Sequence, residues 1–169
     1  MSRSIVLGLG NILNRDEGLG VHAVRALEAH LGPAAGVEAL DGGTIGLGLL
    51  SMVEECEHLL ILDAADGRRA PGTLIELRRD EIPLYAGVKL SQHQITFQEV
   101  LGLANMRGRL PPNLHLIGVQ PADMTLGLEL SPTVAATLPA VLSRARDVLT
   151  GWGLLTACDW SDERKRIDV

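Results

Sequence analysis

Five residues carry most of the chemistry that this sequence offers. Asp16 and Glu17 stand in "GLGNILNRDEGLG", Asp41 in "LDGGT", Asp63 in "LILDAAD" and His93 in "SQHQ". The acids lie beyond the ends of short apolar runs, and His93 opens a helical stretch. In open α/β sheets ligands sit beyond the carboxyl ends of the strands. Asn11, Asp66 and Gln120 stand at the same ends. Carboxylate oxygens and an imidazole nitrogen from three different loops could form an open three-ligand site. That donor set suits nickel, zinc or another divalent borderline ion, with a position left for substrate or water. The competing structural reading makes Glu17 and Asp63 capping acids and His93 a solvated first-turn histidine.

The first loop also begins like a dinucleotide-binding turn, with strand, Gly8, Leu9 and Gly10, and with Asp41 at the end of the second strand. Two features oppose that reading. Leu13 stands where the third glycine belongs, and Asp16 and Glu17 occupy the helix start where a pyrophosphate would sit. Two carboxylates there repel a dianion, whereas the helix dipole stabilises the carboxylates themselves. The motifs HExxH, GxSxG and GxxxxGK[ST] are absent from the sequence. Ser51 and Cys56 read as mid-helix residues without a base, so neither is a nucleophile candidate. His22, His30, His58 and His115 read as surface histidines.

The elements that must position these residues follow from periodicity. Apolar runs at 4–9, 37–41, 58–66, 73–78 and 114–121 read as strands. In "GLGVHAVRALEAHL" Leu19, Ala23, Leu27 and Leu31 recur every four residues, which marks an amphipathic helix. Helices are also expected at 44–58 with Thr44 as N-cap, at 91–108 with Ser91 as N-cap, and at 131–153. The last opens with Ser131-Pro132, and Pro139 should kink or reset it. The order is β-α-β-α-β-β-α-β-α. It predicts a three-layer α/β/α sandwich on a mostly parallel five-stranded sheet, the fourth strand an antiparallel neighbour of the third.

Composition agrees with that class. The 169 residues suit one domain, expected over residues 1–158, with 159–169 as a flexible tail. Hydrophobic residues make up 46% and aromatics only 2%, so the core is built from aliphatic side chains. A net charge of −6 argues against a nucleic-acid surface. Two distant cysteines form neither a disulfide framework nor a thiolate zinc site. No run reaches the roughly 18 apolar residues of a membrane span, and the N-terminus lacks a signal-peptide pattern. The expectation is a soluble cytoplasmic protein.

Five segments in order, "GLGNILNRDEGLGVHAVRAL", "LDGGTIGLGLL", "HLLILDAADGRRAPGTL", "SQHQITFQEVLGLANMRG" and "LHLIGVQP", resemble the maturation endopeptidases of nickel–iron hydrogenases, nearest the branch that serves uptake hydrogenases. The resemblance runs from about residue 5 to 150. It implies an aspartic-type endopeptidase that removes the C-terminal extension of the large-subunit precursor once nickel is in place. It assigns the metal-binding trio to Glu17, Asp63 and His93. Nickel would come with the precursor and serve as docking anchor, other divalent ions being able to substitute. Alternatively the metal acts as a Lewis acid. Asp16 and Asp41 are then the candidates for proton transfer. A non-hydrolytic nickel-binding assembly factor using the same trio is the competing function.

Overall fold

The computed structural model describes residues 2–82, 89, 90 and 92–162, with the backbone alone for 89, 90 and 92–96. Strands β1 (Arg3–Leu9), β2 (Glu38–Gly43), β3 (Cys56–Asp66), β4 (Leu74–Arg78), β5 (Lys89–Leu90) and β6 (Asn113–Val119) are joined by helices α1 (Leu19–Glu28), α2 (Leu50–Glu55), α3 (Gln92–Met106), α4 (Pro132–Ala135) and α5 (Leu138–Gly151). Single 3₁₀ turns stand at Arg15–Gly18 and Gly46–Leu49. The sheet order is β2-β1-β3-β6-β4. The first four of these run parallel and β4 is antiparallel to β6. The five-stranded, mostly parallel sheet expected from the sequence is therefore present. Two-residue β5 adds antiparallel to Ala65 and Asp66 at the end of β3.

One pairing differs from expectation. β4 follows β3 in sequence but lies beside β6. Both sides of β3 are already filled by parallel partners, Ile5–Gly8 of β1 and Leu114–Val119 of β6. Glu76 and Arg78 alternate with Ile75 and Leu77 in β4, a pattern suited to an edge rather than to the sheet centre.

Alternation along the strands sorts the core into two layers. Ile5, Leu7, Leu59, Ile61 and Ala65 face one way, toward Val53 of α2 and Phe97, Val100 and Leu101 of α3. Val6, Leu60, Leu62, Ile117 and Val119 face the other way, toward Leu27 of α1 and Val141 and Leu149 of α5. Each fully buried leucine contributes roughly 1.5–3 kcal/mol of transfer free energy.

The helix expected over 44–58 is shorter at both ends. Gly43 and Gly46 have positive φ, which a right-handed helix does not accommodate, so α2 begins only after the 3₁₀ turn. At the other end Cys56 and His58 are recruited into β3 by pairing with Arg3 and Ser4. The 131–153 helix is divided at 136–137, with Pro139 in the first turn of α5, where its missing N–H costs nothing. The segment 159–162, assigned to the tail on sequence grounds, is packed. Gly32 N–H donates to Asp159 O, Ser161 N–H to His30 O, and Trp160 stacks on His30 with ring centroids 5.0 Å apart. His30 is thus half-covered rather than a free surface histidine. Residues 163–169 lie outside the described residues.

The sheet and α1 meet backbone to backbone. A Cβ on Gly20 would lie 2.0 Å from Leu62 O and 2.4 Å from Leu9 O, and one on Gly8 would lie 2.3 Å from Gly20 O. No side chain can yield at such contacts, so α1 would have to lift off β1 and β3. We expect Gly20→Ala to cost roughly 1–3 kcal/mol or more. Urea titration of the variant against the parent measures it, and an unchanged midpoint would refute the packing argument.

Candidate active site

The first loop turns at Gly10, whose φ of +124° is open to glycine alone. A Cβ there would lie 1.8 Å from Glu17 O, so the loop closes on itself at that point. Gly10 N–H donates to Gly43 O at 3.1 Å, which ties the loops after β1 and β2 together. Asn11 Oδ1 accepts from Leu13 N–H at 3.0 Å and starts the turn. The 3₁₀ turn then carries Glu17 to the start of α1, where it is 3% exposed. Asn14 Nδ2 donates to Glu17 Oε2 at 2.8 Å and fixes the carboxylate.

Asp63 lies near the end of β3 and is 1% exposed. Its place in the alternation is that of Ile61 and Ala65, so it lies on the α2/α3 side of the sheet. Asp63 Oδ1 accepts from Ala64 N–H at 2.7 Å. The Gly20–Leu62 contact presses the first turn of α1 against the residue before Asp63, which brings the Glu17 turn to this strand end. β5 brings α3 to the same place. Leu90 pairs with Ala65, and α3 starts at Gln92, one residue before His93. The His93 side chain and the Ser91 cap lie outside the described residues. Among the described residues no three His, Cys, Asp or Glu side chains cluster at metal-binding distance. Glu17 and Asp63 are the described members of the expected trio, and two carboxylates with an imidazole suit nickel by donor chemistry.

The two proton-transfer candidates occupy opposite environments. Asp16 is 0% exposed. Its Oδ2 accepts from Ala122 N–H, Asp123 N–H and Ser131 Oγ–H at 2.9, 2.8 and 2.8 Å, and its Oδ1 accepts from Ser131 N–H at 2.7 Å. It is enclosed by donors from a single loop. Asp41 is open to solvent; Arg25 Nη2 donates to its Oδ2 at 2.9 Å and Gly43 N–H to its Oδ1 at 3.0 Å.

Two contributors were legible in the sequence by position only, without their roles. Gln120 is buried, and its Oε1 accepts from Gly67 N–H and Arg69 N–H at 2.9 and 3.2 Å while its Nε2 donates to Asp66 Oδ1 at 3.2 Å. It shapes the loop after β3. Ser131 was legible as a cap, and it does accept from Val134 N–H, but its bond to Asp16 spans 115 positions and leaves no local signal.

The family model described as hydrogenase maturation protease matches residues 21–147. The chain is similar to the hydrogenase expression/formation protein HupD of Rhodobacter capsulatus, 43% identical over 155 residues, covering 90% of this chain and 73% of that protein. It is 39% identical over 153 residues to the hydrogenase 2 maturation protease of Escherichia coli K12, covering 90% and 93%. The solved hydrogenase maturating endopeptidase HybD from E. coli superposes with a TM-score of 0.83 at 39% identity, over 89% of this chain and 94% of that one. Among the described residues no helix is long and apolar enough to cross a membrane.

Cys56, already set aside as a nucleophile, is also silenced by burial, which pushes its thiol up to about 11. Only the thiolate is reactive, so Cys56 is inert at neutral pH, and Cys158 is exposed. Titration of the native protein with an aromatic disulfide at pH 8 should therefore modify Cys158 alone, with Cys56 reacting only on denaturation. Rapid labelling of both would refute the burial argument.

Proposed function

We propose that this chain, which belongs to the hydrogenase maturation protease family and is an endopeptidase acting on the C-terminus of the nickel–iron hydrogenase large subunit, identifies its substrate by the nickel already held there. The ligands toward that nickel are Glu17, Asp63 and His93. The observation that supports this reading is the convergence of two buried carboxylates from separate loops on the strand end where α3 begins. Two buried carboxylates brought to one strand end are oxygen donors of the kind a divalent cation takes. Nickel, when bound with the precursor, supplies an anchor that holds the scissile bond in place by proximity.

Hydrolysis adds water to the scissile carbonyl, breaks the C–N bond and leaves a proton on the departing amine. Of the two carboxylates considered for that proton, Asp41 exchanges with solvent and Asp16 does not. The aspartic-type role therefore goes to Asp41, held in orientation by Arg25 and Gly43. Asp16 is left to hold the loop that encloses it.

Mixing the protein with nickel-loaded large-subunit precursor should release a C-terminal peptide, seen as a mass loss of the precursor. Nickel-free precursor should stay intact. Glu17→Gln, Asp63→Asn and His93→Ala should each slow processing by about 100-fold or more, the scale of a misplaced substrate. Full processing by all three variants would overturn the ligand assignment. Nickel-dependent binding without any mass loss would favour the non-hydrolytic assembly factor.

A further inference from the structure

The loop at 122–131 carries large apolar side chains that the core does not use. Leu126 is 82% exposed, Leu128 65% and Leu13, on the facing loop, 53%; Met124 is exposed beside them. Single exposed leucines are ordinary, but a contiguous apolar patch is not. The stretch 124–128, Met-Thr-Leu-Gly-Leu, carries no charge. It is also held in shape. Arg15 N–H donates to Gly127 O at 2.9 Å and Gly127 N–H to Leu13 O at 2.8 Å, so the two loops join around the glycine that separates Leu126 from Leu128. Asp16 N–H donates to Asp123 O at 3.1 Å, and the Asp16 carboxylate takes the four donors described above. A loop pinned at 122, 123, 127 and 131 cannot turn its leucines inward.

We propose that this pinned loop is a docking lip for an uncharged, apolar stretch of the precursor, seated beside Glu17, with Asp16 as the positioning residue that sets the lip. The occupant is argued from continuity. Leu13 belongs to the loop that bears Glu17, and that loop is hydrogen-bonded to Gly127, so the lip adjoins the place where a polypeptide held at Glu17 would lie. The family's substrate is itself a protein, and Ile45 and Leu47 are also exposed, on the loop that follows the Gly10–Gly43 hydrogen bond. The inference rests on reading the Glu17–Asp63 strand end as the place where precursor is held.

The test is the kinetics of nickel-loaded precursor cleavage by the Leu126→Ser/Leu128→Ser double variant. Both side chains are solvent-facing, so the melting temperature should be unchanged. KM should rise about tenfold or more with kcat within about twofold, the pattern of lost uniform binding. Asp16→Asn, which places an N–H donor among N–H donors, should raise KM as well, and adding it to the double variant should raise KM little further. A fall in kcat with unchanged KM for Asp16→Asn would make it a proton carrier and overturn its positioning role. Unchanged KM in the folded double variant overturns the lip. So does a wild-type dimer that the double variant dissociates without a change in KM, which would make the patch a self-interface. Failure of the ligand assignment is seen separately, in full processing by Glu17→Gln while the double variant still shows raised KM.

Discussion

A carboxylate sealed from water must be met by donors, and the layout of this active edge follows from how Asp16 is met. Four donors reach it, and all come from residues 122, 123 and 131. Desolvating the charge costs several kcal/mol, and each hydrogen bond to an ionised group returns about 1.5–3 kcal/mol. What the arrangement adds beyond satisfying the charge is direction. Three of the donors are backbone N–H groups, which fix the path of the main chain and not merely one rotamer. The loop after β6 is thereby registered to the loop after β1 with little freedom. Glu17 is the next residue, so whatever fixes Asp16 also fixes the backbone from which Glu17 projects.

The same first loop explains why a glycine-rich turn need not serve phosphate. In a phosphate-binding turn the glycines let the backbone approach the ligand. Here the absent side chains of Gly8 and Gly20 let α1 approach β1 and β3, with Leu62 O only 2.0 Å from where a Cβ would stand. The helix start is occupied by the protein's own acids, which take up the favourable field that an anion would otherwise use. The closeness of α1 to β3 brings the loops that carry Glu17 and Asp63 to one end of the sheet, as the proposed cation site requires.

Much of this was legible in the sequence because it depends on local pattern. The period of four in α1, the apolar runs of β1, β3 and β6 and the Ser131-Pro132 start each report burial or backbone geometry within a few residues. The placement of Glu17 and Asp63 at one sheet end followed from the parallel topology. What was not legible depends on pairings that sequence does not record. β4 crosses to β6 because β3 has no free side, which is a property of the assembled sheet. Asp16 looked like a possible proton carrier because its partners lie 106 to 115 residues away. Trp160 looked like tail because its cover, His30, belongs to the chain just after α1. The leucines of 126 and 128 gave no strand or helix period, and only the fold shows that they stand outward next to the site.

A division of labour follows from the two kinds of surface at this edge. The lip offers apolar contact, and apolar contact is the same whether or not the precursor carries nickel. It therefore adds affinity without discrimination, since specificity is a difference between two binding free energies. The acids and the imidazole have the opposite character. If they are the nickel ligands, as proposed, they gain a cation only when they face a loaded precursor. On the proposed assignment, discrimination between the two precursors falls on Glu17, Asp63 and His93, while the proposed lip keeps the chain near enough for that difference to be read. An arrangement with the lip alone would cut too early, and one with the trio alone would rest on a few ligand contacts to hold a whole protein. Registration of the two loops by Asp16 would then make the proposed nickel contact and the scissile segment a single geometric requirement rather than two independent ones.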